Sequence, residues 1–164
     1  MSLPSLSEML DIAGKHATMV IIGAQSQMIP LFDLRDARGD SYLVAEQFVG
    51  ATPADVVDRK DAVADFVREM IVRHKIIQYS FMSEAWMIKR KDWKGGVSAP
   101  PSEADDRIEC VIAIATDGKD YLSRRWLIKR EGETCVDLVL DSDGETTQRP
   151  WGRFDNLLGG ETMQ

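Results

Sequence analysis

The residues best suited to chemistry in this sequence are carboxylates and arginines that interrupt apolar stretches in its second half. Glu84 lies in the middle of FMSEAWM, which otherwise has the composition of a buried strand, two residues before Trp86. Glu109 and Arg124 interrupt the next two apolar stretches. Two carboxylates and an arginine could perform acid–base chemistry on a small polar ligand, and they could equally form an ordinary salt-bridge network.

The elements that must position these residues are the strands of a meander. Asp117-Gly118 is the dipeptide most typical of a tight hairpin turn, and a second turn is predicted at Glu131-Gly132. The four strands predicted in this half of the chain are 76–88, 107–116, 119–130 and 133–140.

A two-residue turn fixes the register of a hairpin, and side chains alternate between the two faces of a strand. Applied to both turns, these rules place Glu109 and Asp137 opposite Trp126. One face of the predicted sheet is then apolar and packs on the helices, whereas the other is charged and aromatic. We call the second one the mixed face, and its candidate binding residues are Glu84, Trp86, Arg107, Glu109, Arg124, Trp126 and Asp137.

The mixed face has three interpretations. It is a solvated sheet face with cross-strand charge pairs, a surface for self-association, or a site for a small ligand. Tryptophan and arginine are favoured at binding hot spots, and large apolar side chains are costly to leave in water. We therefore expect a non-catalytic binding or self-association domain that forms a homo-oligomer. The alternative is an enzyme that binds a small polar ligand through Glu84, Glu109 and Arg124.

Helices and a hairpin account for the rest of the pattern. The first helix starts at Pro4, and MVIIG extends it to Gly23 rather than forming a strand. A hairpin turns at Gly39, and a second helix begins with Thr52 as its N-cap. A short closing helix is predicted over 154–158.

The order of these elements predicts the fold class. The order α-β-β-α-β-β-β-β-α is typical of an α+β domain, with five to six antiparallel strands in a meander and two main helices on one face. We predict a single domain over residues 1–164. The same order of elements occurs in roadblock-type and other profilin-like domains, which is a resemblance of order alone and implies no function.

Charge and hydropathy narrow the classes of partner. The formal net charge of −7 argues against nucleic acid or an anionic membrane as the main partner. No apolar run approaches the ~18 residues of a membrane span, and the first ten residues lack the features of a signal peptide. These features predict a cytoplasmic protein. Cys110 and Cys135 form no CxxC motif and are predicted to be reduced and buried.

Motifs for metals, cofactors and nucleic acid are weak. His16 and His74 lack the spacing of metal ligands, and Gly152 stands where a calcium loop beginning at Asp141 would need its last glutamate. We therefore expect no metal and no cofactor. The basic stretch Lys89–Lys94 surrounds Trp93 and supports a further alternative, a nucleic-acid-associated accessory protein.

Three short segments carry a further resemblance. They are SEAWM at 83–87, APPSEADDRIECV at 99–111 and GRFDNLL at 152–158. Their order resembles that in a group of small bacterial and phage-associated proteins without an assigned activity. The resemblance implies no chemistry, and its matching positions, Glu84, Trp86, Arg107 and Glu109, all belong to the mixed face.

Overall fold

The fold is one antiparallel sheet with a helix against each of its faces. The computed structural model describes residues 2–87, 108–148 and 152–158. The strands are β1 (Leu31–Asp36), β2 (Ser41–Ala45), β3 (Ile76–Met87), β4 (Ile108–Thr116), β5 (Tyr121–Glu131) and β6 (Thr134–Leu140). Their order in the sheet is β2-β1-β3-β4-β5-β6. The predicted α+β class and the predicted antiparallel sheet are confirmed.

The second helix begins at its predicted N-cap, whereas the first begins at Leu6, two residues after the predicted start at Pro4. Helix α1 spans Leu6–Thr18, continues as a π-helical turn over Met19–Gly23, and starts with a capping box between Ser5 and Glu8. Helix α2 spans Pro53–His74 and starts with a capping box at Thr52, as expected. No helix in the described part of the chain is long and apolar enough to cross a membrane.

The two helices lie on opposite faces of the sheet, which corrects the prediction that both lie on one face. Met82 is buried in one apolar cluster with Met9 and Leu10 of α1. Tyr79 points to the other side of β3 and is buried in a second cluster with Val67 of α2. We call these sides the α1 face and the α2 face. The α1 face is the mixed face, so the side predicted to be exposed is largely covered.

The loop between β4 and β5 is longer than the predicted two-residue turn. Thr116 pairs with Tyr121 instead of Lys119. The carboxylate of Asp117 accepts the N–H groups of Lys119 and Asp120 at 2.9 and 2.7 Å, which holds a four-residue loop. The hydrogen bond from Asp120 is the main reason that the pKa of Asp117 is lowered. Because the register moves by two residues, every side chain of β5 keeps its predicted face.

The register between β5 and β6 differs by an odd number of residues. The pairing shifts between Lys129 and Arg130, and Asp137 lies opposite Lys129, not Trp126. An odd shift exchanges the two faces of a strand. Asp137 is therefore on the α2 face, exposed, and does not belong to the mixed face as predicted.

The predicted closing helix over 154–158 is a turn. Phe154 and Leu157 are buried in the cluster under α2. The Tyr79 hydroxyl donates to the Phe154 carbonyl at 2.5 Å and accepts from the Leu157 N–H at 3.2 Å. Burial is the main cause that raises the pKa of Tyr79. These tertiary contacts hold the segment in place. They join residues far apart in sequence, so the local sequence could not predict them.

Gly14 provides a test of how α1 sits on the sheet. A Cβ at this position would lie 2.9 Å from Cζ2 of Trp126. We expect Gly14→Ala to destabilise the protein by about 1–2 kcal/mol, because overpacking costs ~1–3 kcal/mol and the gain in helix propensity returns at most ~1 kcal/mol. Urea unfolding measures the difference.

Gly23 is the matched control, since a Cβ there meets no atom within 4 Å. Gly23→Ala should be neutral or slightly stabilising. Equal stabilities of the two variants would show that α1 does not rest on Trp126.

Candidate functional site

A cleft opens where the π-helical turn after α1 meets one end of the sheet. Its volume is about 380 Å³, and it is lined by the turn and by β3, β4, β5 and β6. Sites for small molecules have volumes of roughly 300–1,000 Å³. We call it the α1-end cleft. Its polar groups come from Glu84, Glu109, Arg130, Glu133 and Gln25, and Trp86 provides an aromatic wall.

Glu84 holds the chain segment that follows the π-helical turn. One of its carboxylate oxygens accepts the N–H of Met28 at 2.8 Å, and the side chain is half-buried. This contact explains a glutamate in an otherwise apolar strand, because a buried N–H needs an acceptor. The carboxylate forms no salt bridge within the described residues, and Arg130 interacts with its charge through space without contacting it.

Glu109 and Arg130 form the ion pair of the cleft. The guanidinium of Arg130 donates two hydrogen bonds to the Glu109 carboxylate, one of them at 3.0 Å. A third Arg130 hydrogen bond goes to the Glu133 carbonyl at 3.1 Å. The hydrogen bond with Glu109 is the main cause that raises the pKa of Arg130. This guanidinium is therefore hydrogen-bonded to Glu109, and it interacts with the charge of Glu84 only at longer range.

Gln25 fastens the chain segment after the π-helical turn to the edge strand β6. Its side-chain amide donates to the Cys135 carbonyl at 2.7 Å and accepts the Cys135 N–H at 2.9 Å. A further hydrogen bond goes to the Ile22 carbonyl at 2.9 Å. The backbone of Gln25 has φ 49°, a left-handed conformation that turns the chain sharply. The amide thus closes one wall of the cleft.

Three of the predicted site residues meet in this cleft. Glu84, Trp86 and Glu109 all line it, and Trp86 pairs with Glu109 across β3 and β4. Arg107 lies outside the described residues. Asp137 is on the opposite face of the sheet, as the register of β6 requires.

Arg124 and Trp126 lie under α1, away from the cleft. Arg124 donates to the carboxylate of Asp11 at 2.6 Å and to that of Glu145 at 2.8 Å. Desolvation lowers the pKa of Arg124, but hydrogen bonds with Glu145 and Asp11 outweigh it, so the pKa is raised overall. Trp126 is only 8% exposed, against Gly14. The predicted trio of Glu84, Glu109 and Arg124 is therefore not assembled.

Sequence reasoning missed Arg130 and Gln25. Arg130 follows Trp126 and Ile128 in the alternation of β5, so extending the alternation would have placed it on the same face as Glu109. Gln25 gives no local signal, because its role depends on a turn that brings it beside a strand 110 residues away in sequence.

Within the described residues no group of three or more His, Cys, Asp or Glu side chains could hold a metal ion. Cys110 and Cys135 are free and buried, as predicted, and burial is the main cause that raises the pKa of the Cys110 thiol.

Comparisons with protein-family models, with curated proteins and with solved structures give no match to this chain. The function must therefore be argued from the cleft itself.

Gln25→Ala tests whether the cleft wall depends on its amide. The change leaves the N–H and the carbonyl of Cys135 without their partner, and we expect a loss of about 1–3 kcal/mol in urea unfolding. Faster hydrogen exchange at the Cys135 amide should accompany it. Gln27→Ala is the control, because Gln27 lines the same cleft but makes no hydrogen bond within the described residues. Unchanged exchange in Gln25→Ala would refute the proposed anchor.

Proposed function

We propose that the chain is a non-catalytic binding domain whose α1-end cleft takes a small organic cation. The single observation that carries the proposal is the Glu84 carboxylate, which lies in a cleft of ligand size without a salt bridge to any described residue. A positively charged ligand would provide the missing charge.

The charge of the cleft supports a cation. Glu84, Glu109 and Glu133 line it, and Arg130 is the cationic residue among the described residues that do so. These described lining residues therefore carry a formal charge of −2 at neutral pH, from three acids and one arginine. In a recess with reduced access to water, such charges attract a cation more strongly than they would on an open surface.

Trp86 supports a ligand that also has an apolar or flat cationic group. Its side chain is 39% exposed at the wall of the cleft. The face of an indole attracts guanidinium and ammonium groups through its ring quadrupole, worth ~0.5–1 kcal/mol at exposed sites. An amine or guanidine on a short aliphatic chain could contact Trp86 and Glu84 together.

The alternatives formulated from the sequence receive less support. An enzyme built on Glu84, Glu109 and Arg124 needs the arginine beside the two carboxylates, and Arg124 is instead paired with Asp11 and Glu145. Self-association through the mixed face needs an open face, and α1 covers its centre. The nucleic-acid hypothesis rests on Lys89–Lys94, which lie outside the described residues.

Calorimetric titration with agmatine tests the proposal, because this probe carries a guanidinium and an ammonium on a four-carbon chain. We expect saturable binding that weakens at least tenfold, about 1.4 kcal/mol, in Glu84→Gln. The substitution removes the charge but keeps an oxygen that can accept the Met28 N–H. Asp137→Asn removes the same charge from the opposite face and should leave binding unchanged.

Two results would overturn the proposal. One is absence of saturable binding of agmatine and of choline, a cation suited to the aromatic wall. The other is equal weakening in Glu84→Gln and Asp137→Asn, which would show that the net charge of the chain attracts the probe and the cleft does not.

A further inference from the structure

The two edge strands of the sheet, β6 and β2, differ in how well they are protected from pairing with another strand. At the β6 edge, the Gln25 amide occupies the N–H and carbonyl of Cys135, the pairing shifts at Arg130, and Asp137 adds a charge. Such devices discourage pairing with another strand. At the other edge, β2 has the sequence SYLVA, with no charge, no proline and no bulge.

The backbone groups of β2 alternate between β1 and the outside. Glu46 N–H donates to the Pro30 carbonyl at 3.1 Å, and Asp36 N–H donates to the Asp40 carbonyl at 3.2 Å. Residues at even positions between them therefore face β1. The N–H and carbonyl groups of Ser41, Leu43 and Ala45 point away from the sheet, available to another strand.

Apolar side chains surround these outward groups. Leu43, at the centre of β2, is 65% exposed. Phe66 of α2 is 48% exposed and lines a groove of about 520 Å³ that Leu43 also borders. Because Val44 is buried under α2, the Leu43 side chain lies on the α1 face, so the two side chains flank the edge from opposite faces. Leaving both side chains in water is unfavourable, and strand addition at this edge would bury apolar area while it pairs the backbone groups.

We propose that β2 pairs antiparallel with the β2 strand of a second copy of this chain. The two-fold axis passes through Leu43, which faces Leu43 of the second copy. Ser41 then faces Ala45, and these three pairs all use the outward backbone groups. The axis is perpendicular to the sheet, so both α2 helices lie on the same face of the joined sheet.

The charges next to β2 fit a second copy. Beyond the strand, Asp40 faces Glu46 of the other copy, which would oppose pairing if both were unpaired. Asp40 is 3.2 Å from Arg38, and Glu46 forms an ion pair with Arg59. Each acid thus has a cationic partner within its own chain, and Arg38 is shared with Asp36. The strand itself is uncharged, so the two-fold brings no like charges together along the paired residues.

Analytical ultracentrifugation over a concentration series tests this pairing. The wild type should be a dimer at high concentration, and Leu43→Lys should raise its dissociation constant at least tenfold, because two lysines would face each other across the axis. Val72→Lys is the control, since Val72 is 80% exposed on α2 and has no role in the seam. A wild type that stays monomeric, or a dimer unaffected by Leu43→Lys, would overturn the proposal.

Cross-linking gives a readout that does not depend on a disruptive change. Leu43→Cys places two thiols on directly opposed residues, whose Cα atoms are ~5.5 Å apart in a hydrogen-bonded antiparallel pair. A short bis-maleimide should link most of this variant into covalent dimers, whereas Val72→Cys should stay monomeric. Cys110 and Cys135 are buried and leave the background low. Equal cross-linking of the two variants would mean that β2 is not the seam.

Discussion

The indole of Trp126 lies against Gly14 of α1, and the position of the helix on the sheet depends on this close approach. Only a residue without a Cβ lets the helix come so near, since a Cβ at Gly14 would be 2.9 Å from the ring. Trp126 rests in turn beside Val111, its neighbour on β4, in the apolar cluster of that face. Arg124 fixes the first turns of the same helix through Asp11. One small residue and one large residue thus set the distance between helix and sheet.

The α1-end cleft is a consequence of that placement. Once α1 is fixed on β4 and β5, its π-helical turn ends above the margin of the sheet, and the next residues must cross from β6 towards β3. Gln25 binds this crossing to Cys135, and Glu84 binds it through Met28. The same polar groups that hold the chain therefore line the cleft. Among the described residues Glu84 makes one hydrogen bond, which keeps its position fixed, and it forms no salt bridge with them.

The proposed ligand site and the proposed self-association edge are at different places in the sheet order. The cleft involves β3 to β6, whereas the seam is at β2. In the proposed pairing, two six-stranded sheets join at their β2 edges. Each cleft then lies among the strands on the far side of its sheet from the seam. Ligand binding and dimer formation then use separate residues, and neither requires the other. The net charge of −7 favours a cationic ligand, whereas the pairing of two copies must overcome the repulsion between them.

The sequence by itself determined the elements, because their signals are local. Thr52 marks the start of α2, Gly39 and Asp117-Gly118 mark turns, and alternation assigns the faces of β3, β4 and β5 correctly. It also placed Glu84, Trp86 and Glu109 on one face, where they meet in the cleft.

Tertiary structure alone decided which helix covers which face, since a face with Val111, Ala113 and Ala115 among its charges can receive a helix or stay open. It also decided the face of Asp137 and the role of Gln25. A bulge or a contact between distant segments depends on the free energy of the whole packed fold, and no short stretch of residues encodes that energy.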